Sequence, residues 1–174
     1  MMDSQTLDGM PQPTTPVTKL IVRLATPDDA IAARACVLAA FEPYIARIGR
    51  PPAPMLLDYP TLVDATRVWV AELSSQVEGV LVQYETSDGF YIDTVAVNPK
   101  VRGTGVGRAL LEFAEAEAVR RGFASVYLCT NSKMIENQVL YPKIGYVEYD
   151  RRVEAGYDRI FYSKGLAASS TDAV

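Results

Sequence analysis

The sequence predicts a mixed α/β (α+β) domain with neighbouring antiparallel strands and several helices. Three observations carry this. Short runs alternate apolar and polar residues between turn formers, which is strand patterning; longer segments space apolar residues by three and four, which is helix patterning. The third is the turn Arg102-Gly103-Thr104-Gly105-Val106-Gly107, which joins a strand-like run to a helix-like one.

In chain order, residues 1–18 read as a flexible N-terminal tail, 19–166 as a single domain and 167–174 as a flexible C-terminal tail. Lys19–Leu24 alternates as a strand. A helix capped by Thr26 or Asp28 follows, with Ile31, Ala35, Leu38 and Phe41 along one face. Residues 42–60 hold Gly49, Pro51, Pro52 and Pro54, so one or two short helices and a rigid loop are expected. Arg67–Leu73 and Val77–Tyr84 form a hairpin around Ser74-Ser75-Gln76, and Phe90–Val97 makes a third neighbouring strand. The helix Val106–Arg121 presents Val106, Leu110 and Phe113 on one face and Arg108, Glu112 and Glu115 on the other. Glu117 interrupts its apolar face, pairs with Arg121 and precedes the helix stop at Gly122. Ser125–Cys129 reads as a buried strand, Met134–Ile144 as a short helix stopped by Gly145, and Tyr146–Val153 and Arg159–Ser163 as strands joined through Ala155-Gly156.

Composition narrows the chemistry. In 174 residues there are 17 Lys and Arg against 21 Asp and Glu, a formal charge of −4, so no general basic surface is available for nucleic acid or anionic lipid. Cys36 and Cys129 lack CxxC spacing and there is no histidine, which argues against a zinc site or any bound metal. No apolar leader or membrane-length segment is present, and a cytoplasmic location is expected. Without an imidazole, a general base has to be a carboxylate, a water chain, a tuned lysine or a cysteine.

Glycines tolerate positive φ and let a ligand approach the backbone, so the 102–107 turn can direct several N–H groups at an anion beside a helix N-terminus. A dinucleotide fingerprint needs a third glycine where Arg108 stands, and a P-loop needs a Gly-Lys-Ser/Thr tripeptide that the chain lacks. The spacing that fits is R-x-x-G-x-G, formed by Arg102, Gly105 and Gly107 directly after the strand ending Val95-Ala96-Val97 and its Asn98-Pro99 exit.

This segment resembles the coenzyme A signature of the GNAT superfamily of N-acetyltransferases. A second stretch, Met134-Ile135-Glu136-Asn137-Gln138-Val139-Leu140-Tyr141-Pro142-Lys143-Ile144-Gly145-Tyr146, is similar to the late helix of that family, and its Asn137 and Tyr141 share a helical face. The resemblance runs from about Lys19 to Lys164. It implies a GNAT fold, a central, mostly antiparallel twisted sheet of about seven strands flanked by about four helices and splayed at the cofactor site.

The resemblance also implies roles. Val95, Ala96 and Val97 would offer backbone groups to the pantetheine arm of acetyl-CoA, and Arg102, Gly103, Thr104, Gly105, Val106, Gly107 and Arg108 would hold the pyrophosphate. Asn131 and Asn137 would bond pantetheine or order water near the thioester. Tyr141 would protonate the departing thiolate. Alternation places Asp93 on the face of Tyr91, Val95 and Val97, where it would accept the amine proton directly or through water. Tyr44, Arg47, Met55 and Tyr59 fall where the family builds its acceptor pocket. The expected activity is acetyl transfer from acetyl-CoA to a primary amine of a small molecule by direct attack. A protein lysine or N-terminal acetyltransferase and a non-catalytic acyl-CoA-binding module remain open alternatives. No nucleic-acid or membrane partner is expected, and a homodimer stays open.

Overall fold

The computed structural model describes residues 19–167; the expectations for 1–18 and for 168–174 lie outside the described residues. Seven strands form one open sheet in the order β1-β2-β3-β4-β5-β7-β6. They are β1 (Leu20–Leu24), β2 (Val68–Leu73), β3 (Gln76–Thr86), β4 (Gly89–Val97), β5 (Ser125–Asn131), β6 (Val147–Glu154) and β7 (Tyr157–Gly165). Every neighbouring pair is antiparallel except β4 and β5. Four helices of six residues or more flank the sheet: α1 (Ala30–Phe41), α3 (Tyr59–Asp64), α4 (Val106–Arg120) and α5 (Ile135–Lys143). The one-turn helix α2 (Ile45–Ile48) lies between α1 and α3, with 3-10 turns at Glu42–Tyr44 and Ala53–Leu56.

Two apolar layers hold these elements. On one face α4 and α5 bury Leu110, Ala114 and Tyr141 against Trp69, Leu81, Ile92 and Leu128. On the other, α1 and α3 bury Ala33, Val37, Tyr59 and Val63 against Val70, Val80 and Val82. The buried stripe of α1 differs from the expected one. Ala30, Ala33, Cys36, Val37 and Ala40 face the sheet, whereas Ile31 is 85% exposed. This helix is apolar almost all round, so periodicity alone does not select a face; the side with small residues lets the helix axis lie close to the strands. Its start is set by a capping box between Thr26 and Asp29, and Arg23 clamps the Asp29 carboxylate at 2.8 Å. That clamp holds Asp29 far below the usual carboxylate range.

Helix α4 packs close to the sheet at Gly79. A Cβ built there would stand 2.7 Å from Val106 Cγ1 and 3.0 Å from Leu110 Cδ1. Gly79→Ala is therefore expected to destabilise the fold by about 1–3 kcal/mol, read as a lower midpoint in urea unfolding. An unchanged midpoint would show that α4 can retreat without cost.

Glu117 behaves as its spacing predicts and gains a second partner. Its carboxylate accepts from Arg121 Nε at 2.7 Å and from both Arg120 Nε and Nη2, at 2.7 and 2.6 Å. These cations hold it down at about 2, against an ordinary 4.5. Because the folded value is depressed, the stabilisation is complete above pH 4.5 and is lost as pH falls toward 2. Glu117→Gln should cost about 2 kcal/mol at neutral pH. Its deficit relative to the parent should shrink across that acid window; a deficit independent of pH would exclude the ionic origin. Glu115, expected on the solvated face, instead accepts from Lys164 Nζ at 2.8 Å and from Tyr146 Oη at 3.0 Å.

Candidate active site

The site originates in the one parallel strand pair. β4 and β5 are in register only over Phe90/Val126, Tyr91/Tyr127 and Ile92/Leu128. Beyond that both strands continue unpaired with each other, β4 to Val97 and β5 to Asn131, and a cleft of about 1000 Å³ opens between them. Backbone groups along the two diverging edges face this opening instead of a ladder partner, and buried polar backbone requires some partner.

A bulge in β4 decides which side chains enter the cleft. Ile92 pairs with Gln83 and Thr94 with Val82, so Asp93 is the extra residue with no opposite number. The alternation expected across 91–97 fails at this point. Val95 and Val97 pack toward the α4 layer with Ile92, whereas Ala96 belongs to the α1 layer. A single bulge residue reverses the sense of alternation and bends the strand, which gives Asp93 a different face from Val95 and Val97. Its Oδ2 accepts from Tyr84 Oη at 3.2 Å. Burial pushes the carboxyl up, opposed by the Tyr84 hydrogen bond and by the charges of Arg159 and Arg67.

The turn at the foot of α4 has the expected backbone. Gly103 and Gly105 have φ of +79° and +93°, and Gly105 is the N-cap. The first N–H groups of a helix have no intrahelical acceptor, so those of Val106, Gly107 and Arg108 are available to an anion. At Gly107 a Cβ would lie 3.3 Å from Val97 Cγ2, which explains a residue without a side chain where α4 abuts the end of β4.

Of the residues assigned to the cofactor, Val95, Ala96, Val97, Arg102, Gly107, Arg108, Asn131 and Asn137 line the cleft. Gly103, Thr104 and Gly105 shape the turn without lining it, and Val106 is buried in the α4 layer. The arginine side chains are engaged elsewhere: Arg102 Nη2 donates to Ala40 O at 3.0 Å, closing the end of α1, and Arg108 pairs with Glu112. Asn137 donates to Thr130 Oγ1 at 2.8 Å, which fixes its orientation across the mouth of β5.

Tyr141 projects from α5 on the face of the sheet opposite to Asp93. It lines the cleft and packs against Tyr146 and Tyr162, with ring centroids 5.6 and 5.5 Å away. Burial drives its phenol well above the ordinary tyrosine value, so the proton is retained throughout the neutral range. Pro142 sits inside α5 one residue later, near its C-terminal end, where few N–H groups remain to be lost.

The acceptor assignments divide. Tyr44 lines the cleft. Arg47 does not; it pairs with Glu136 at 2.6 Å and ties α2 to α5 at the rim. Met55 also lies off the lining, because the 3-10 turn over 53–56 directs Ala53 and Pro54 inward instead. Tyr59 is a core residue with no exposure, its Oη donating to Pro54 O at 3.0 Å. Sequence reasoning missed the pocket side of β5 and β7. Tyr91 Oη stands 3.2 Å from Cys129 Sγ, and Tyr157 and Arg159 complete that wall. Burial pushes the Tyr91 phenol and the Cys129 thiol up, so both stay protonated. Residues 157 and 159 follow the Ala155-Gly156 turn two apart, so strand periodicity is a usable signal for placing them on one face.

A sheet split at its parallel pair, with a helix N-terminus at one end and a protonated phenol and a half-buried carboxylate on opposite faces, frames the cleft. Residues 64–148 match the family model described as the acetyltransferase (GNAT) domain. The fold is shared with the ribosomal-protein-S18-alanine N-acetyltransferase of Escherichia coli, at 18% identity and a TM-score of 0.68 over 90% of this chain and 99% of that one. It is shared equally with the PaiA N-acetyltransferase of Thermoplasma acidophilum in complex with coenzyme A (13% identity, TM-score 0.70, 84% and 99% covered) and with Ard1 of Thermoplasma volcanium (18%, 0.67, 85% and 98%). Residues 64–148 thus carry a GNAT acetyltransferase domain.

Proposed function

We propose that the chain transfers an acetyl group from acetyl-CoA to a primary amine of a small molecule. The observation that carries this reading is the divergence of β4 and β5 after Ile92/Leu128, which leaves two unsatisfied backbone edges leading from the α4 N-terminus to Tyr141 and Asp93. These features fit acetyl-CoA: N–H groups for its pyrophosphate, a strand edge for its amide-bearing arm and a slot without bulky side chains at Gly107. When bound, acetyl-CoA supplies the activated acyl group.

The chain's residues divide the proton work. Asp93, raised by burial, takes a proton from the incoming ammonium, directly or through one water, and leaves the amine lone pair free to attack the acyl carbon. Backbone N–H groups of the unpaired β4 edge are positioned to stabilise negative charge on the carbonyl oxygen. As the new C–N bond forms and the C–S bond breaks, Tyr141 Oη supplies the proton that the sulfur requires and is reprotonated from solvent. Residues Val95–Val97, 102–108, Asn131 and Asn137 hold the donor, and Tyr44 with the neighbouring wall of β7 holds the acceptor.

Two segments roof the acceptor side. Tyr157 Oη donates to Pro51 O at 2.6 Å, and the Arg50 guanidinium lies 4.0 Å from the Tyr157 ring centroid. This closure between the Pro-rich loop and the β6–β7 hairpin favours a compact acceptor over a polypeptide. Release of thiol from acetyl-CoA, followed with a panel of amines and a panel of peptides, tests the reading. Turnover on small amines is expected. Tight acetyl-CoA binding without turnover on any amine would identify a binding module, and turnover on peptides alone would identify a protein acetyltransferase.

A further inference from the structure

The acceptor wall contains a cation that amine acetylation does not itself require. Arg159 lines the cleft from β7, with its side chain only 18% exposed. It is paired with Glu154 through a single nitrogen, Nη1 to Oε2 at 2.7 Å. Among the described residues its Nε and Nη2 make no hydrogen bond, so part of a planar fork suited to a carboxylate is unused. The surrounding positions explain why it faces inward. Residues Tyr157, Arg159 and Phe161 alternate onto one face of β7, and Phe161 is opposite Cys129 in β5, next to the Asp93 bulge.

The chamber is therefore bipolar. A half-buried carboxylate stands where the amine must lose its proton, and a guanidinium stands on the adjoining wall, near enough that its charge opposes the upward displacement of Asp93. Aromatic and proline surfaces from Phe41, Tyr44, Pro52 and Tyr157 enclose the space between them and the roof. An amine with an apolar or cationic remainder would cover the half-buried Arg159 without giving it a full set of partners, which is costly for a charge.

We propose that the acceptor is an amine that also carries a carboxylate, a free amino acid or a compound of that type, with Arg159 as its carboxylate anchor and Asp93 facing its amino group. The inference rests on the acetyl-transfer reading and narrows its substrate class. It adds no step to the chemistry, because the carboxylate is bound and not transformed.

Matched acceptors test it. L-phenylalanine is compared with phenethylamine, L-leucine with isoamylamine and γ-aminobutyrate with butylamine, each amino acid also being presented as its carboxamide. At least one acid is expected to exceed its partner amine and its carboxamide in kcat/KM by roughly 30-fold or more, the factor that a partly buried ion pair supplies. Arg159→Gln should remove this preference by slowing the acid far more than the amine, with acetyl-CoA affinity preserved. Arg159→Lys should restore part of it. Glu154→Gln, which releases Nη1 while leaving Arg159 in place, should keep or strengthen the preference; a loss equal to that of Arg159→Gln would mean that the ion pair serves only to hold the hairpin. Equal rates on acids, amides and simple amines would overturn the carboxylate inference while leaving acetyl transfer intact. Failure of every amine despite acetyl-CoA binding would overturn both.

Discussion

Replacing Tyr141 with phenylalanine will lower kcat by about 10²-fold while leaving the affinity for acetyl-CoA nearly unchanged. The substitution removes one oxygen from a ring whose packing against Tyr146 and Tyr162 survives, so the fold and the cleft wall should persist. What disappears is the proposed proton donor. Its phenol is held protonated by burial, so its loss cannot be rescued by lowering the pH within the neutral range. Single-turnover measurements at saturating acetyl-CoA, with Kd measured separately, check this result. Unchanged turnover would remove Tyr141 from the acid role and leave the sulfur to be protonated by water.

Asp93→Asn has an equally large expected effect on rate, about 10²-fold in kcat/KM, and the opposite effect on stability. The carboxyl is half-buried with one hydrogen bond, from Tyr84, and desolvation raises its proton affinity. For an acid whose folded value lies above its unfolded one, the native state binds more protons, so stability declines as pH rises through that interval and stays reduced above it. Removing the charge should therefore raise the thermal midpoint near neutrality while abolishing the acid limb of the rate profile. A variant that is both slower and less stable would make Asp93 a structural carboxylate. A variant with the parent's pH profile would transfer the base role to another group.

The combination of a stability cost and a placement at the bulge of β4 is what separates Asp93 from an ordinary strand residue. Functional carboxylates are commonly held in surroundings that disfavour their charge. By contrast, Asp29 and Glu117 are also largely buried, yet arginines satisfy them completely and hold them low. Those two carboxylates stabilise the ends of α1 and α4 and face no cleft.

Hairpin turns, helix caps and the glycine spacing of 102–107 are legible in the chain because they are local, each depending on residues within one or two turns of one another. The 74–75 turn illustrates this. Ser74 and Ser75 both adopt positive φ, 51° and 62°, as a two-residue hairpin demands, and the expectation of a hairpin there needs only the neighbouring strand pattern. The same holds for Asn137 and Tyr141, whose shared face follows from helical periodicity alone.

Expectation and structure part where one element has to be placed against another. In α1 the sequence offers apolar residues on every side, and only the close approach to β3 and β4 selects the Ala33–Val37 stripe over Ile31. Tyr59 resembles a pocket aromatic but is covered by α1 and the 53–56 turn, which no short window reveals. The bulge at Asp93 exists because β3 and β4 pair with unequal residue counts, a relation between strands.

The sequence by itself determined the strand and helix order, the phosphate-type turn and the presence of a phenol and an amide on one face of a late helix, because these depend on backbone preferences and periodicity. Tertiary structure alone decided that β4 and β5 part after three residue pairs, that Asp93 turns away from Val95 and Val97, and that Arg159 reaches the same cleft from the last strand of the chain. Pairing register and sheet splay are set by packing among non-local segments, and the cleft is a product of those relations.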